Sequence, residues 1–261
     1  EAVDLAQRII RIDSTNGNET AVADVLATVL EESGAQVEIV ARDPARANLL
    51  ARIPGTGTGP SLAFVGHLDV VPADARDWSH APFGGDLDDD GYLWGRGAVD
   101  MKDEVAARTA ALASLSRSGW RGTGDLLLLL VADEEDGSAW VGMNWLVQER
   151  PDIATTYALN EGGGVSYRLT DGRQLAEVSV GEKGTCPVRV DAVGEAGHAS
   201  MPSLGDNAVP RLANLLTRLG RGEAEPSDHP QVRVMIEHLQ TCYDKLKPAF
   251  DRALPPLAAS R

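Results

Sequence analysis

Six consecutive apolar residues, Leu126–Val131, constrain this chain more than any other feature. A strand that is apolar at every position has to be covered on both faces, as in a parallel sheet sandwiched between helices. Its neighbours fit that arrangement. Strand patterns occur at Gln36–Ala41, Ala47–Ile53, Ser61–His67 and Thr155–Asn160. Helical periodicity covers residues 1–33, where Leu5, Ile9 and Ile12 share a face, then Met101–Ser118 and Ser138–Glu149. Strands alternating with helices predict an α/β fold with a mostly parallel sheet flanked by helices. After about residue 180 the pattern changes. Pro187–Val193 alternates like a half-exposed strand, Asn207–Leu219 reads as an amphipathic helix, and a short helix is possible near Val232–Asp244. The expected division is 1–180 for the larger domain and 181–261 for the start of a smaller α+β domain.

In parallel sheets, sites form where strands end at their carboxyl edge. The polar residues at those ends are His67 and Asp69, Glu134 and Glu135, and Glu161, with Asp100 placed just before a helix. One imidazole and several carboxylates converging on one rim suit a cation such as zinc. Without a cation the carboxylates repel and some must take up protons. With a pair of divalent ions the same cluster gains a water of lowered pKa and a Lewis acid.

Composition removes several alternatives. A net charge of −15 repels nucleic acid and anionic membrane. Cys186 and Cys242 form no disulfide framework. No apolar run reaches membrane-spanning length, so a cytoplasmic protein is expected. Some tempting patterns take bland readings. The Gly/Thr loop Pro54–Pro60 joins two strands and opens no helix, which argues against phosphate binding. Asp86, Asp88 and Asp90 resemble the start of a calcium loop, but Gly97 stands at the twelfth position, so a solvated turn is expected. His80, His229 and His238 read as surface residues. Asp133 and Asp136 could support the Glu pair, and Lys102 is expected to have a structural or hydrogen-bonding part near the site.

The ordered set of motifs carries a resemblance. It comprises Gly66-His67-Leu68-Asp69-Val70-Val71-Pro72, then Trp78 with Pro82-Phe83, Gly95-Arg96-Gly97-Ala98-Val99-Asp100-Met101-Lys102 and Asp133-Glu134-Glu135. Asn160-Glu161-Gly162-Gly163 and Gly197-His198-Ala199-Ser200-Met201-Pro202 complete it. Over roughly residues 1–220 the chain resembles the dinuclear zinc family of aminoacylase, acetylornithine deacetylase, succinyl-diaminopimelate desuccinylase and yeast-type carboxypeptidase S. The resemblance implies a zinc-exopeptidase-like catalytic domain followed by a lid or dimerisation domain, and so a possible homodimer. It implies that His67 and Glu161 ligate one zinc, Glu135 the other, and that Asp100 bridges them; cobalt or manganese could replace zinc. Asp69 would stand behind His67 and fix its tautomer. Glu134 would be the general base, and His198 would steady the oxyanion. The Asp100–Met101 peptide is cis in relatives. Asn207 lies in a lid motif, Gly205-Asp206-Asn207-Ala208, with no role assigned.

The expected activity is hydrolysis of an amide bond in N-acyl amino acids or small peptides. Glu at 161 leans toward the deacylases; a dipeptidase or aminopeptidase, and a non-catalytic relative, are the alternatives. Relatives also carry a later His that completes the second zinc site and an Arg with a glycine-rich loop for the substrate carboxylate. No such segment is found here, so the chain reads as a fragment.

Overall fold

The computed structural model describes residues 1–162, 164, 166–168, 172–176, 178–179, 188–201, 205–221, 230 and 233–234. Cys186, Cys242, His229, His238 and most of the possible helix near 232–244 lie outside them. The chain divides into two compact units, Glu1–Gly163 and Gly164–Arg261.

The first unit is built on a five-stranded sheet. Its strands are β1 (Gln36–Val40), β2 (Asn48–Ile53), β3 (Leu62–His67), β6 (Leu126–Val131) and β7 (Tyr157–Leu159). They lie in the order β1-β2-β6-β3-β7. β3 pairs in parallel with β6 and β7, while β2 is antiparallel to both β1 and β6. Only β2 therefore runs against the rest of this sheet.

The unbroken apolar run of β6 is now explained. Leu126, Leu128 and Leu130 pack into a core with α1 (Ala2–Ile10), α2 (Glu19–Glu32) and α3 (Lys102–Arg117). Leu127, Leu129 and Val131 point the other way, into a smaller core with Leu146 of α4 (Met143–Glu149) and Ile153. Successive side chains on a strand face opposite sides, so both faces must be apolar. β4 (Asp86–Leu87) and β5 (Leu93–Trp94) form a separate hairpin. Asp88 closes its turn, accepting from Tyr92 N–H at 2.8 Å and Trp94 Nε1–H at 2.8 Å. This is the turn reading of the acidic cluster.

Three sequence expectations are corrected. Residues 1–33 are not helical throughout but form two helices, because the chain turns at Asn16 (φ 43°) and Gly17 (φ 157°). The fourth helix starts at Met143 and not at Ser138. Its start is fixed by Gly142, where an added Cβ would lie 1.9 Å from the Ala132 carbonyl oxygen. Gly142→Ala is expected to destabilise the protein by about 1–3 kcal/mol through overpacking, read as a lower urea midpoint with unchanged slope; an unchanged midpoint would contradict this close approach.

The third correction lies in the second unit. There β8 (Ser166–Arg168) and β9 (Gln174–Ala176) form a hairpin and α5 (Ala208–Gly220) a helix. Asn207 caps α5, its Oδ1 accepting from Val209 N–H at 3.0 Å. Residues 188–193 do not form the expected strand. The alternation there meets no paired neighbour among the described residues; the nearest pairing is the single bridge Glu195–Asp206. Among the described residues no helix is long and apolar enough to cross a membrane.

Candidate metal centre

β3, β6 and β7 run in the same direction, so their carboxyl ends meet at one edge of the sheet. His67 is the last residue of β3, the Asp133–Glu135 turn follows β6, and Glu161 follows β7 by two residues. The fourth contributor, Asp100, stands before α3, and the Asp100–Met101 peptide is cis, as the resemblance implies. The glycine at 66 makes room here: a Cβ would lie 3.1 Å from Met101 Cε. Ser14, in the turn between α1 and α2, braces the loop after β3 by donating to the Leu68 carbonyl at 2.7 Å.

His67 is the centre of the cluster and is only 1% exposed. Its Nδ1 lies 2.9 Å from the Asp69 carbonyl oxygen. A carbonyl can only accept, so Nδ1 carries a hydrogen, and the lone pair of the neutral ring is on Nε2. Nε2 faces Asp100 Oδ1 at 3.0 Å, Glu161 Oε2 at 3.2 Å and Glu134 Oε2 at 3.9 Å. Asp69 thus fixes the tautomer with its main chain. Its buried carboxylate lies 3.6 Å from Nδ1 and also accepts from Glu134 N–H at 3.2 Å and Glu135 N–H at 3.0 Å.

One ligand atom each from His67, Asp100 and Glu161 lies within 4.8 Å of the others, a group that could hold a metal ion. Two observations fit a cation there. Glu161 Oε2 is buried without a hydrogen bond, although it lies beside Nε2. The ring nitrogen that faces the carboxylates is the one that can offer a lone pair. Glu135 is not one of these three. Its carboxyl is pushed up by burial and by Asp100.

The same repulsion shows in the other acids. Burial raises the Glu134 carboxyl, and Glu161, Asp69 and Asp100 add to it against the opposing pull of His67. Burial also raises Glu161, with His67 opposing and Asp100 and Glu135 reinforcing. For Asp69, burial is outweighed by His67 and by the two backbone N–H groups, which hold it below the usual carboxylate range. Burial of His67 likewise opposes its charge, but Asp69 and Glu161 win and push it up to about 10. Without metal the imidazole therefore serves as the cation of the site.

A pH dependence follows. Between the ordinary 6.5 of an unfolded His and about 10, folded protein holds a proton that unfolded protein lacks. That contribution to stability is complete below 6.5 and is lost as pH rises through about 10. The raised glutamates act in the same sense at lower pH. Above about 8 buried Lys102, lowered to about 8, contributes with the opposite sign, so the metal-free protein is expected to show a falling urea midpoint from pH 6.5 to about 8, with a shallower fall in His67→Gln. A midpoint that rises over this range in the parent protein would contradict it.

Lys102 is fully buried, but its Nζ donates to Ile9 and Ile12 carbonyls at 2.9 and 2.8 Å. It closes the carboxyl end of α1 and has a structural part. On α3, Arg108 reaches the Val65 carbonyl, Glu104 and, at 3.1 Å, the Asn160 carbonyl. It ties the residue before Glu161 to β3. Nothing in the sequence singled out Arg108 beyond its i,i+4 spacing from Glu104. His80 stacks on Trp94 with ring centroids 4.3 Å apart. In the second unit, exposed His198 pairs with Ser200 Oγ at 2.8 Å.

Residues 63–249 match the sequence model of peptidase family M20/M25/M40. Over 234 residues the chain is 38% identical to a succinyl-diaminopimelate desuccinylase of Xanthobacter autotrophicus, covering 86% of this chain and 58% of that protein. A desuccinylase of Rhodopseudomonas palustris is 34% identical over 260 residues, 95% of this chain and 63% of its own length. The chain thus spans about three-fifths of the curated relatives it matches. Among solved structures, a tripeptidase from Staphylococcus aureus superposes with a TM-score of 0.55 at 18% identity, covering 83% of this chain and 55% of that one. An M20 family metallo-carboxypeptidase from Sulfolobus solfataricus gives 0.52 at 21% identity, covering 66% and 39%. At these identities the two structures bear on the fold alone, and they share it.

Proposed function

Because the chain belongs to peptidase family M20/M25/M40, we propose that the protein is a metal-dependent amide hydrolase acting on N-acyl amino acids, with an N-succinyl group the first candidate. The observation that carries the reading is the convergence of His67, Asp100 and Glu161 on one edge of the sheet, with Glu134 3.9 Å from the imidazole. The N-succinyl assignment is supported by the desuccinylase relatives at 34–38% identity.

In this reading His67, Asp100, Glu135 and Glu161 hold two ions, zinc by preference, with cobalt or manganese as substitutes. Bound there, the ions supply a Lewis acid and a water of lowered pKa. The chain's own residues do the rest. Asp69 uses its carbonyl to keep the His67 lone pair on Nε2 and its carboxylate to hold the Glu134–Glu135 turn. Glu134 accepts the proton of the attacking water and returns it to the departing nitrogen.

The test is an assay of the full-length, zinc-loaded protein on N-succinyl and N-acetyl amino acids beside free-amine dipeptides. Faster release from the N-acyl compounds is the expected result. Turnover of free-amine dipeptides alone would replace this reading with a dipeptidase.

A further inference from the structure

The turn that carries Glu134 and Glu135 belongs to a loop, residues 132–141, that runs from β6 toward α4. Its tip, residues 136–140, is exposed, while Ala132, Asp133 and Val141 at its ends are buried. An exposed loop does not by itself hold two carboxylates to a fixed geometry, so something must fix its ends.

Two side chains at the start of β2 do this, far away in sequence. Asn48 is fully buried. Its Oδ1 accepts from Ala132 N–H at 3.0 Å, and its Nδ2 donates to the Val141 carbonyl at 2.9 Å. One amide therefore closes both ends of the loop. Its Nδ2 also reaches the Val40 carbonyl at 3.2 Å, which ties the loop to the sheet edge. Arg46 donates twice to Glu19 Oε1, at 2.9 and 2.7 Å, and places Nη1 3.5 Å from Asp133 Oδ1. The Asp133 side chain is 2% exposed, and its φ of 60° is unusual for a residue with a Cβ. Its carboxylate accepts from Ala139 N–H at 3.3 Å and Val141 N–H at 3.4 Å.

The energetics argue that this network is kept for geometry. Burying an Arg–Glu pair costs desolvation that its attraction often fails to recover. Here one oxygen of the pair, Glu19 Oε2, is buried without a hydrogen bond. What buried hydrogen bonds of this kind do provide is a single arrangement of the groups attached to them. Those groups are the backbone on either side of Glu134 and Glu135, whose own N–H groups rest on Asp69.

We infer that Arg46 and Asn48 are positioning residues that set how Glu134 and Glu135 meet the metal cluster. The inference rests on the metal-hydrolase reading above. The test uses the full-length protein as wild type, Arg46→Met and Arg46→Lys, with Asn48→Ala alongside. Zinc affinity of the metal-free protein, its melting temperature, and kcat and KM are measured for each.

Arg46→Met and Asn48→Ala are expected to weaken zinc binding by about 10–100-fold, as loss of an outer partner of metal ligands does. They are expected to lower kcat more than they raise KM, and Arg46→Lys, which keeps the charge but loses the fork, is expected to recover part of both. Zinc affinity and kcat within about twofold of wild type, beside a lowered melting temperature, would assign Arg46 and Asn48 to stability alone and overturn the inference. If Arg46→Met and Asn48→Ala do not fold, Arg46→Lys decides by the same two limits. A wild-type protein that takes up no zinc would sink the metal-hydrolase reading and this inference with it. Wild-type zinc binding with unaffected variants would sink this inference only.

Discussion

Glu134→Gln in the full-length protein is expected to lower kcat by about 10²–10⁴-fold, the usual worth of a general base, while bound metal stays at the wild-type level. Gln has the shape of Glu and cannot accept the proton. The metal is expected to remain because in the proposed reading His67, Asp100, Glu135 and Glu161 hold it, and Glu134 stands 3.9 Å from Nε2 where Asp100 and Glu161 lie at 3.0 and 3.2 Å. Without metal, burial and the three neighbouring acids raise its pKa against the pull of His67. The activity of Glu134→Gln is read as kcat on an N-acyl amino acid, beside metal content of the same sample. A variant within about threefold of wild type would remove Glu134 from the proton transfer. Activity lost together with metal would make it a ligand instead.

His67→Ala is expected to have the second large effect: loss of metal binding and of activity together. The imidazole is braced by the Asp69 carbonyl and faces Asp100, Glu161 and Glu134. Removing it takes away a donor and leaves acids facing each other with nothing between them. The loss of zinc affinity should exceed the roughly 10–100-fold that follows loss of an outer partner of a ligand. Zinc titration of the variant measures it; affinity within about tenfold of wild type would mean that the ions are held elsewhere.

Much of this architecture was legible in the sequence because strand and helix periodicity survive folding unchanged. Leu126–Val131 announced a strand buried on both faces, and the polar residues placed at strand ends are the ones the fold gathers: His67, Asp69, Glu134 and Glu161 lie about a single edge. Other features left no comparable mark. Arg46 and Asn48 sit beside an apolar run where any surface residue could stand, and only the three-dimensional path of the 132–141 loop shows what they hold. Arg108 is one of many charges on a helix until its hydrogen bond to the Asn160 carbonyl is seen. The helix expected from Ser138 begins at Met143 because Asp133 and Asn48 claim the intervening backbone N–H and carbonyl groups for the loop. The role expected of the Asp69 side chain is divided among its atoms. The carbonyl oxygen meets His67, and the carboxylate meets the Glu134–Glu135 backbone. A sequence names the residue, and which of its oxygens faces which partner depends on a turn of the chain.

In the proposed reading this edge of the sheet holds two metal ions. The most direct test is zinc titration of the metal-free, full-length protein by calorimetry, beside Glu135→Ala and Glu161→Ala. Two ions per chain, with one lost in each variant, is the predicted result. No zinc above a weak background in the wild type, or two ions retained in both variants, would contradict it.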